Sequence, residues 1–79
     1  MKINKKICVI GLGYIGLPTA CYLAKSGYQV IGVDLNKTKI KTLKQKRIPF
    51  KEPGLSSLFK KALKNLQFSL KPEPADVFI

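Results

Sequence analysis

A chain of 79 residues with 46% hydrophobic content has room for one small globular domain, and it excludes a deep substrate cleft beside a second domain. The formal net charge of +11 attracts anions such as nucleotides, nucleic acids or membrane surfaces. The sequence has neither a run of about 18 apolar residues nor the apolar stretch of a secretory signal, so we expect a cytoplasmic protein without a transmembrane helix.

The first part of the chain predicts a strand, a helix and a second strand. Residues 6–10 are nearly all apolar and are bounded by Gly11, as expected for a strand buried on both faces of a parallel sheet. Apolar residues at helical spacing then predict a helix over 14–26, and Gly27 fits the left-handed position just past its end. A second apolar strand is predicted at 29–33.

The middle of the chain predicts two more helices with a proline-containing loop between them. Asn36 is suited to cap a helix over residues 37–46. After the loop, apolar residues recur at intervals of three and four and predict a third helix that begins at Pro53 or Leu55 and ends at Leu66. Proline is tolerated at the first position of a helix, where its missing amide costs little.

Two further strands are predicted, at residues 67–70 and 75–79. The alternation of strands and helices predicts an α/β fold: a partial Rossmann domain, or doubly wound parallel sheet, of which only the first half is present. Because the chain stops inside an apolar strand, we expect residues 1–79 to be the N-terminal part of a longer domain. Half a sheet would leave an open edge near the first strand, which predicts marginal stability or self-association.

A glycine motif, with Gly11, Gly13 and Gly16 at G-x-G-x-x-G spacing, connects the first strand to the first helix. In that context the first glycine permits the tight turn, the second lets the backbone approach a pyrophosphate, and the third allows the helix to pack on the sheet. Amides at the start of the helix, aided by its dipole, would bind the phosphates. Asp34 ends the second strand, where an acidic residue accepts hydrogen bonds from the adenosine ribose and favours NAD over NADP.

The same residues fit other interpretations. The glycine turn could serve packing alone, with Asp34 as a helix cap, and Lys37 and Lys39 close behind Asp34 could tolerate the extra phosphate of NADP. Cys8 and Cys21, in a chain without histidine, are expected to be buried reduced thiols, and no metal site is expected.

Three segments resemble one enzyme family: residues 10–18 (IGLGYIGLP), 32–36 (GVDLN) and 52–55 (EPGL). They are similar to the UDP-glucose and GDP-mannose dehydrogenases, and most similar to the branch that oxidises UDP-N-acetylmannosamine. The resemblance covers essentially the whole chain. It implies NAD-dependent oxidation of a sugar C6 alcohol to a carboxylate in two steps.

The resemblance also implies which residues contact the cofactor. Tyr14, Ile15 and Asp34 match NAD-contacting positions alongside the glycines, and Lys39 matches a position that often carries a basic residue near the adenosine. No role is assigned to Glu52 beyond a helix cap and loop anchor.

The family's catalytic cysteine, lysine and asparagine are expected beyond residue 79, and neither Cys8 nor Cys21 matches the nucleophile. The UDP-sugar site and the dimerising central helix would also lie outside the chain. We therefore expect no catalytic residue here and no activity from the 79 residues alone, although the intact enzyme should be a homo-oligomer that binds a UDP-sugar.

Three alternatives differ from that hypothesis. The chain could be the NAD-binding part of another oxidoreductase, such as a hydroxyacid dehydrogenase, against which the EPGL segment at 52–55 argues. It could be a basic nucleic-acid-binding protein, but its lysines lack interleaved aromatic residues for base stacking, so neither nucleic acid nor membrane is expected as a partner. It could also be a remnant without function.

Overall fold

The computed structural model describes residues 3–79, in which strands and helices alternate as the sequence predicts. The elements in chain order are β1 (Ile3–Ile10), α1 (Gly16–Lys25), β2 (Tyr28–Val33), α2 (Lys37–Lys44), α3 (Leu55–Ala62), a 3₁₀ turn (Leu63–Asn65), β3 (Leu66–Ser69) and β4 (Val77–Phe78). The strands form one sheet of order β3-β2-β1-β4. Every strand pair is parallel, which confirms the predicted α/β architecture.

The main core lies between one face of the sheet and the helices. Alternate residues of β1 and β2 point to this face, where they meet the apolar sides of α1, α2 and α3. These buried contacts remove apolar surface from water and are the principal stabilising term of the fold. The cluster contains Ile7, Val9, Leu12, Leu17, Ala20, Cys21, Ala24, Val30, Ile40, Leu43, Leu55, Phe59, Ala62 and Leu66.

A short connection covers part of the opposite face of the sheet. Residues 70–76 lead from β3 at one edge of the sheet to β4 at the other. Ala75 of this connection packs against Cys8, Ile31 and Val33, which are buried. The strand order therefore reverses at β1, with β2 on one side and β4 on the other. In open α/β sheets ligands bind at the carboxyl ends of the strands beside such a reversal, which here is where the glycine motif lies.

The third helix ends earlier than predicted. It stops at Ala62, and the chain tightens into the 3₁₀ turn before Leu66 opens β3. Its start at Leu55 confirms one of the two predicted positions, because Gly54 with φ of 79° is the N-cap residue and Pro53 lies outside the helix. A left-handed φ at this position requires glycine, which explains why the helix cannot begin at the proline.

The first helix begins later than predicted, at Gly16, so that Tyr14 and Ile15 belong to the turn and not to the helix. The predicted open edge does lie near the first strand. The edge is β4, a two-residue strand that pairs with β1 at Ile7 and Cys8, and β1 itself lies between β2 and β4. Gly27 has φ of 111°, which confirms the predicted left-handed end of α1. Among the described residues, none of the helices has the length and apolar character needed to cross a membrane.

Candidate functional site

The glycine turn is held in shape by its first and third glycines. Gly11 has φ of 92°, a conformation that side chains other than hydrogen rarely adopt, and its amide donates to Val33 O at 2.7 Å. A Cβ added at Gly16 would collide with the carbonyl oxygen of Gly11. The sequence predicted that Gly16 serves packing of the helix on the sheet. The same Cβ would lie 4.0 Å from Val9 Cγ1 of β1, so a side chain here would also approach the sheet, but the closest contact is with the turn at Gly11.

The second glycine has a different environment. A Cβ added at Gly13 would have no heavy atom within 4 Å, so that the backbone here borders open space. Within residues 3–79, the amides of Gly13, Tyr14 and Ile15 have no hydrogen-bond acceptor. They lie just before α1, whose dipole places partial positive charge at this end. The turn therefore presents unpaired donors to an anion.

Leu12 anchors the turn, a role that the sequence interpretation missed. Its side chain is fully buried, and its Cδ atoms lie 3.0 and 3.1 Å from the position that a Cβ would occupy at Gly32 of β2. Any side chain at Gly32 would displace Leu12. A glycine inside a predicted buried strand is a signal of such close approach, so that Gly32 could have indicated the contact.

Asp34 connects the turn to the end of β2. Its Oδ2 accepts hydrogen bonds from Leu12 N at 2.9 Å and from Lys39 Nζ at 3.3 Å, while its Oδ1 accepts from Asn36 N at 2.9 Å. The side chains of Asp34 and Lys39 are 15% and 25% exposed, so that this ion pair is partly shielded from solvent. Asn36, as predicted, is the N-cap of α2 and accepts a hydrogen bond from Lys39 N.

The Asp34 carboxyl is held in its ionised form. Burial alone would raise its pKa, but the hydrogen bonds from Leu12 and Asn36 and the ammonium of Lys39 together lower the pKa below its ordinary value. A carboxylate has about four acceptor positions, and three are used here. One position on Oδ1 remains for a further donor.

The other two residues predicted to contact the cofactor lie on the outer side of the turn, the side exposed to solvent and away from the buried Leu12. Tyr14 and Ile15 are 67% and 82% exposed. The Tyr14 ring contacts Phe50, with ring centroids 4.5 Å apart, in the segment between α2 and α3. Glu52, to which no role was assigned, is exposed and its carbonyl oxygen accepts from Leu55 N. The structure thus brings the glycines, Asp34 and Lys39 together at the carboxyl ends of β1 and β2.

Both cysteines are free and buried, which confirms the prediction of reduced core thiols. Burial raises the pKa of the Cys21 thiol to about 11. Such a thiol is protonated at neutral pH and is a poor nucleophile. Within residues 3–79, no group of three or more cysteine and carboxylate side chains is placed to hold a metal ion.

Comparisons with known proteins show which family the chain matches. Residues 5–79 match the family model described as UDP-glucose/GDP-mannose dehydrogenase family, NAD binding domain. The UDP-N-acetyl-D-mannosamine dehydrogenase of Methanococcus vannielii is 54% identical over 77 residues, which is 95% of this chain and 18% of that protein. An NDP-N-acetyl-D-galactosaminuronic acid dehydrogenase of Ralstonia nicotianae is 47% identical over 95% of this chain and 18% of its own length.

Solved structures of such enzymes contain the same fold. The UDP-N-acetyl-mannosamine dehydrogenase of Staphylococcus aureus superposes with a TM-score of 0.88 at 45% identity, over 92% of this chain and 18% of that one. A UDP-glucose dehydrogenase from Pyrobaculum islandicum superposes with a TM-score of 0.81 at 32% identity, over 89% of this chain and 17% of that one. The chain spans less than a fifth of the length of these relatives.

Proposed function

Because the chain belongs to the UDP-glucose/GDP-mannose dehydrogenase family and matches its NAD binding domain, we propose that the glycine turn and Asp34 form the site for NAD. The hydrogen bond between Leu12 N and Asp34 Oδ2 carries this proposal, since it joins the phosphate-binding and ribose-binding parts into one unit. Residues 1–79 are then the N-terminal part of an NAD-binding Rossmann domain.

The pyrophosphate of NAD would lie against the turn at Gly13. The space beside this residue lets an anion approach the backbone, and the unpaired amides of Gly13, Tyr14 and Ile15 supply donors. Gly11 and Gly16 act indirectly, because they allow the turn to adopt its shape. Tyr14 and Ile15 contribute through their backbone amides, and their exposed side chains are available to the rest of the cofactor.

The adenosine ribose would bind at Asp34. The remaining acceptor position on Oδ1 can take a hydrogen bond from a ribose hydroxyl, whereas the carboxylate would repel the 2′-phosphate of NADP. Lys39 would lie beside the adenosine. It pairs with Asp34, and this pairing offsets part of the negative charge of the carboxylate and so reduces its repulsion of a 2′-phosphate. Because Asp34 stays ionised and keeps an acceptor position for a ribose hydroxyl, we expect the site to favour NAD over NADP.

A longer protein containing this chain would oxidise the C6 alcohol of a nucleotide sugar to a uronate. UDP-N-acetylmannosamine is the leading substrate, because relatives that are 54% and 53% identical are named UDP-N-acetyl-D-mannosamine dehydrogenases. UDP-glucose is the alternative, since a UDP-glucose dehydrogenase has the same fold. NAD, when bound, supplies the hydride acceptor. The catalytic residues and the UDP-sugar site would lie outside these 79 residues, and the intact enzyme would be a homo-oligomer. The relatives described above favour this function over a hydroxyacid dehydrogenase.

A two-dimensional amide NMR spectrum of the chain, recorded without nucleotide, with NADH and with NADPH, tests the proposal. We expect dispersed peaks, and NADH should shift those of Gly13, Ile15 and Asp34 more than NADPH does. The variant Asp34→Ala should lose that preference, while Glu73→Gln, in the connection before β4, is the matched control and should retain it. Dispersed peaks that respond to neither nucleotide would contradict the proposal. A gel shift with DNA at physiological salt would instead support a nucleic-acid-binding protein.

A further inference from the structure

The glycine turn is supported at two points. On its inner side, Leu12 is fully buried in the main core. On its outer side, the Tyr14 ring contacts the Phe50 ring at a centroid distance of 4.5 Å and an interplanar angle of 44°. The unpaired amides of the turn lie at and directly after Gly13, between these two supports.

Phe50 lies 36 residues after Tyr14, outside the glycine motif and the ribose-binding strand. It is half-buried and packs against the same core cluster that contains Leu12. The Tyr14–Phe50 contact therefore connects the outer side of the turn to the core through the segment between α2 and α3.

We propose that Phe50 is a positioning residue that holds the glycine turn in its nucleotide-binding shape, an inference that rests on the proposed NAD site. Backbone amides bind a pyrophosphate best when they already point at it, because a mobile turn must be ordered at the moment of binding. Tyr14 is two-thirds exposed. The carbonyls of Gly13 and Ile15 accept hydrogen bonds from α1. The Tyr14–Phe50 contact adds a link from the turn to the segment between α2 and α3. Phe50 also borders a groove of about 860 Å³, which gives its ring space to move away when the contact is lost.

The variant Phe50→Leu tests the inference in the full 79-residue chain, since it keeps an apolar side chain and removes the ring. The matched control is Tyr22→Leu, which removes an exposed aromatic ring from the far part of α1. In the absence of nucleotide, NMR relaxation should show larger fast motions at Gly13 and Ile15 in Phe50→Leu only. The Kd for NADH should rise about three- to tenfold, the loss expected for an aromatic pair.

A double-mutant cycle separates positioning from a general loss of stability. Tyr14→Leu should weaken binding at least as much as Phe50→Leu does, because it can also remove a direct contact with the cofactor. Adding Phe50→Leu to Tyr14→Leu should weaken binding no further. If Phe50→Leu fails to fold, Tyr14→Leu still removes the contact by changing its exposed partner. Phe50→Tyr, which keeps an aromatic ring at this position, should bind NADH about as tightly as the wild-type chain. Unchanged motion at residues 13–15, or independent effects of the two substitutions, would overturn the inference. Absence of NADH binding by the wild-type chain would contradict the proposed function, while the relaxation measurement would still decide whether Phe50 supports the turn.

Discussion

The amide of Leu12 donates a 2.9 Å hydrogen bond to Oδ2 of Asp34, and the Leu12 side chain occupies the space above Gly32 in the strand that Asp34 ends. The turn and the end of β2 are thus joined by both a polar and an apolar contact. The alternative interpretation of Asp34 as the cap of α2 does not hold, because Asn36 occupies the N-cap position. Asp34 has a structural role in the turn beside its proposed role at the ribose.

Substitution of Asp34 should therefore destabilise the chain in the absence of nucleotide. Asp34→Asn removes the charge from the hydrogen bonds with Leu12 and Lys39, and we expect the free energy of unfolding to fall by about 1–2 kcal/mol. Urea denaturation followed by circular dichroism measures this difference. Glu52→Gln, which alters an exposed carboxylate, is the control and should leave stability unchanged. Equal stability of wild type and Asp34→Asn would show that these contacts contribute nothing.

The same carboxylate predicts how stability depends on pH. Its pKa in the folded chain is lowered, so that the ionised form stabilises the fold above the pKa of the unfolded chain. This contribution is lost as pH falls through the folded-state value. The stability difference between wild type and Asp34→Asn should be full at pH of about 6 and should shrink below about pH 4. A difference that stays constant down to about pH 2 would contradict the assignment to this group.

Local pattern was sufficient for most of the fold. The apolar run that became β1, the helical spacing in α1 and the left-handed Gly27 depend on neighbours in sequence, and each was predicted. The order of the strands was not predicted, because the sequence pattern indicates parallel strands but does not indicate which strand lies at an edge of the sheet. The early end of α3 was also missed, since Leu66 continues the helical spacing but pairs with Val30 in the sheet.

In the candidate site, too, features set by local sequence were predicted and a contact between distant residues was not. Gly11, Gly13, Gly16 and Asp34 form a recognisable local pattern, and the structure brings them together as expected. The contact between Tyr14 and Phe50 joins residues far apart in the chain, and no spacing rule indicates it.

The two glycines of the turn should respond differently to alanine. In Gly13→Ala the new methyl group meets open space, so the fold should be retained while NADH binding is lost by steric exclusion of the pyrophosphate. In Gly16→Ala the methyl group collides with the Gly11 carbonyl, and we expect a loss of more than about 2 kcal/mol of stability. Urea denaturation and NADH titration of both variants measure these effects. The contrast fails if both variants lose stability equally, or if Gly13→Ala binds NADH normally.

The two cysteines should be protected in the folded chain. Cys8 and Cys21 are fully buried, and burial raises the pKa of Cys21 to about 11. A thiol reagent such as Ellman's reagent should react slowly with both at neutral pH and quickly in denaturant, because reaction requires opening of the core. Cys8→Ser and Cys21→Ser assign the signal to each thiol. Rapid reaction of Cys21 in native buffer would show that α1 separates readily from the sheet.

Lys46 offers a substitution that should stabilise the chain. It follows the end of α2 with φ of 64°, a left-handed conformation that costs energy for any residue with a Cβ. Its amide donates to Leu43 O at 2.9 Å, so that the conformation completes the end of the helix. Lys46→Gly removes the steric cost and should raise the free energy of unfolding by about 0.5–1 kcal/mol, after allowance for the greater freedom of glycine in the unfolded chain. The matched control is Lys41→Gly, in the exposed interior of α2, which should lower stability by about the same amount. If both glycine variants were destabilised in urea, the left-handed conformation of Lys46 would not be a source of strain.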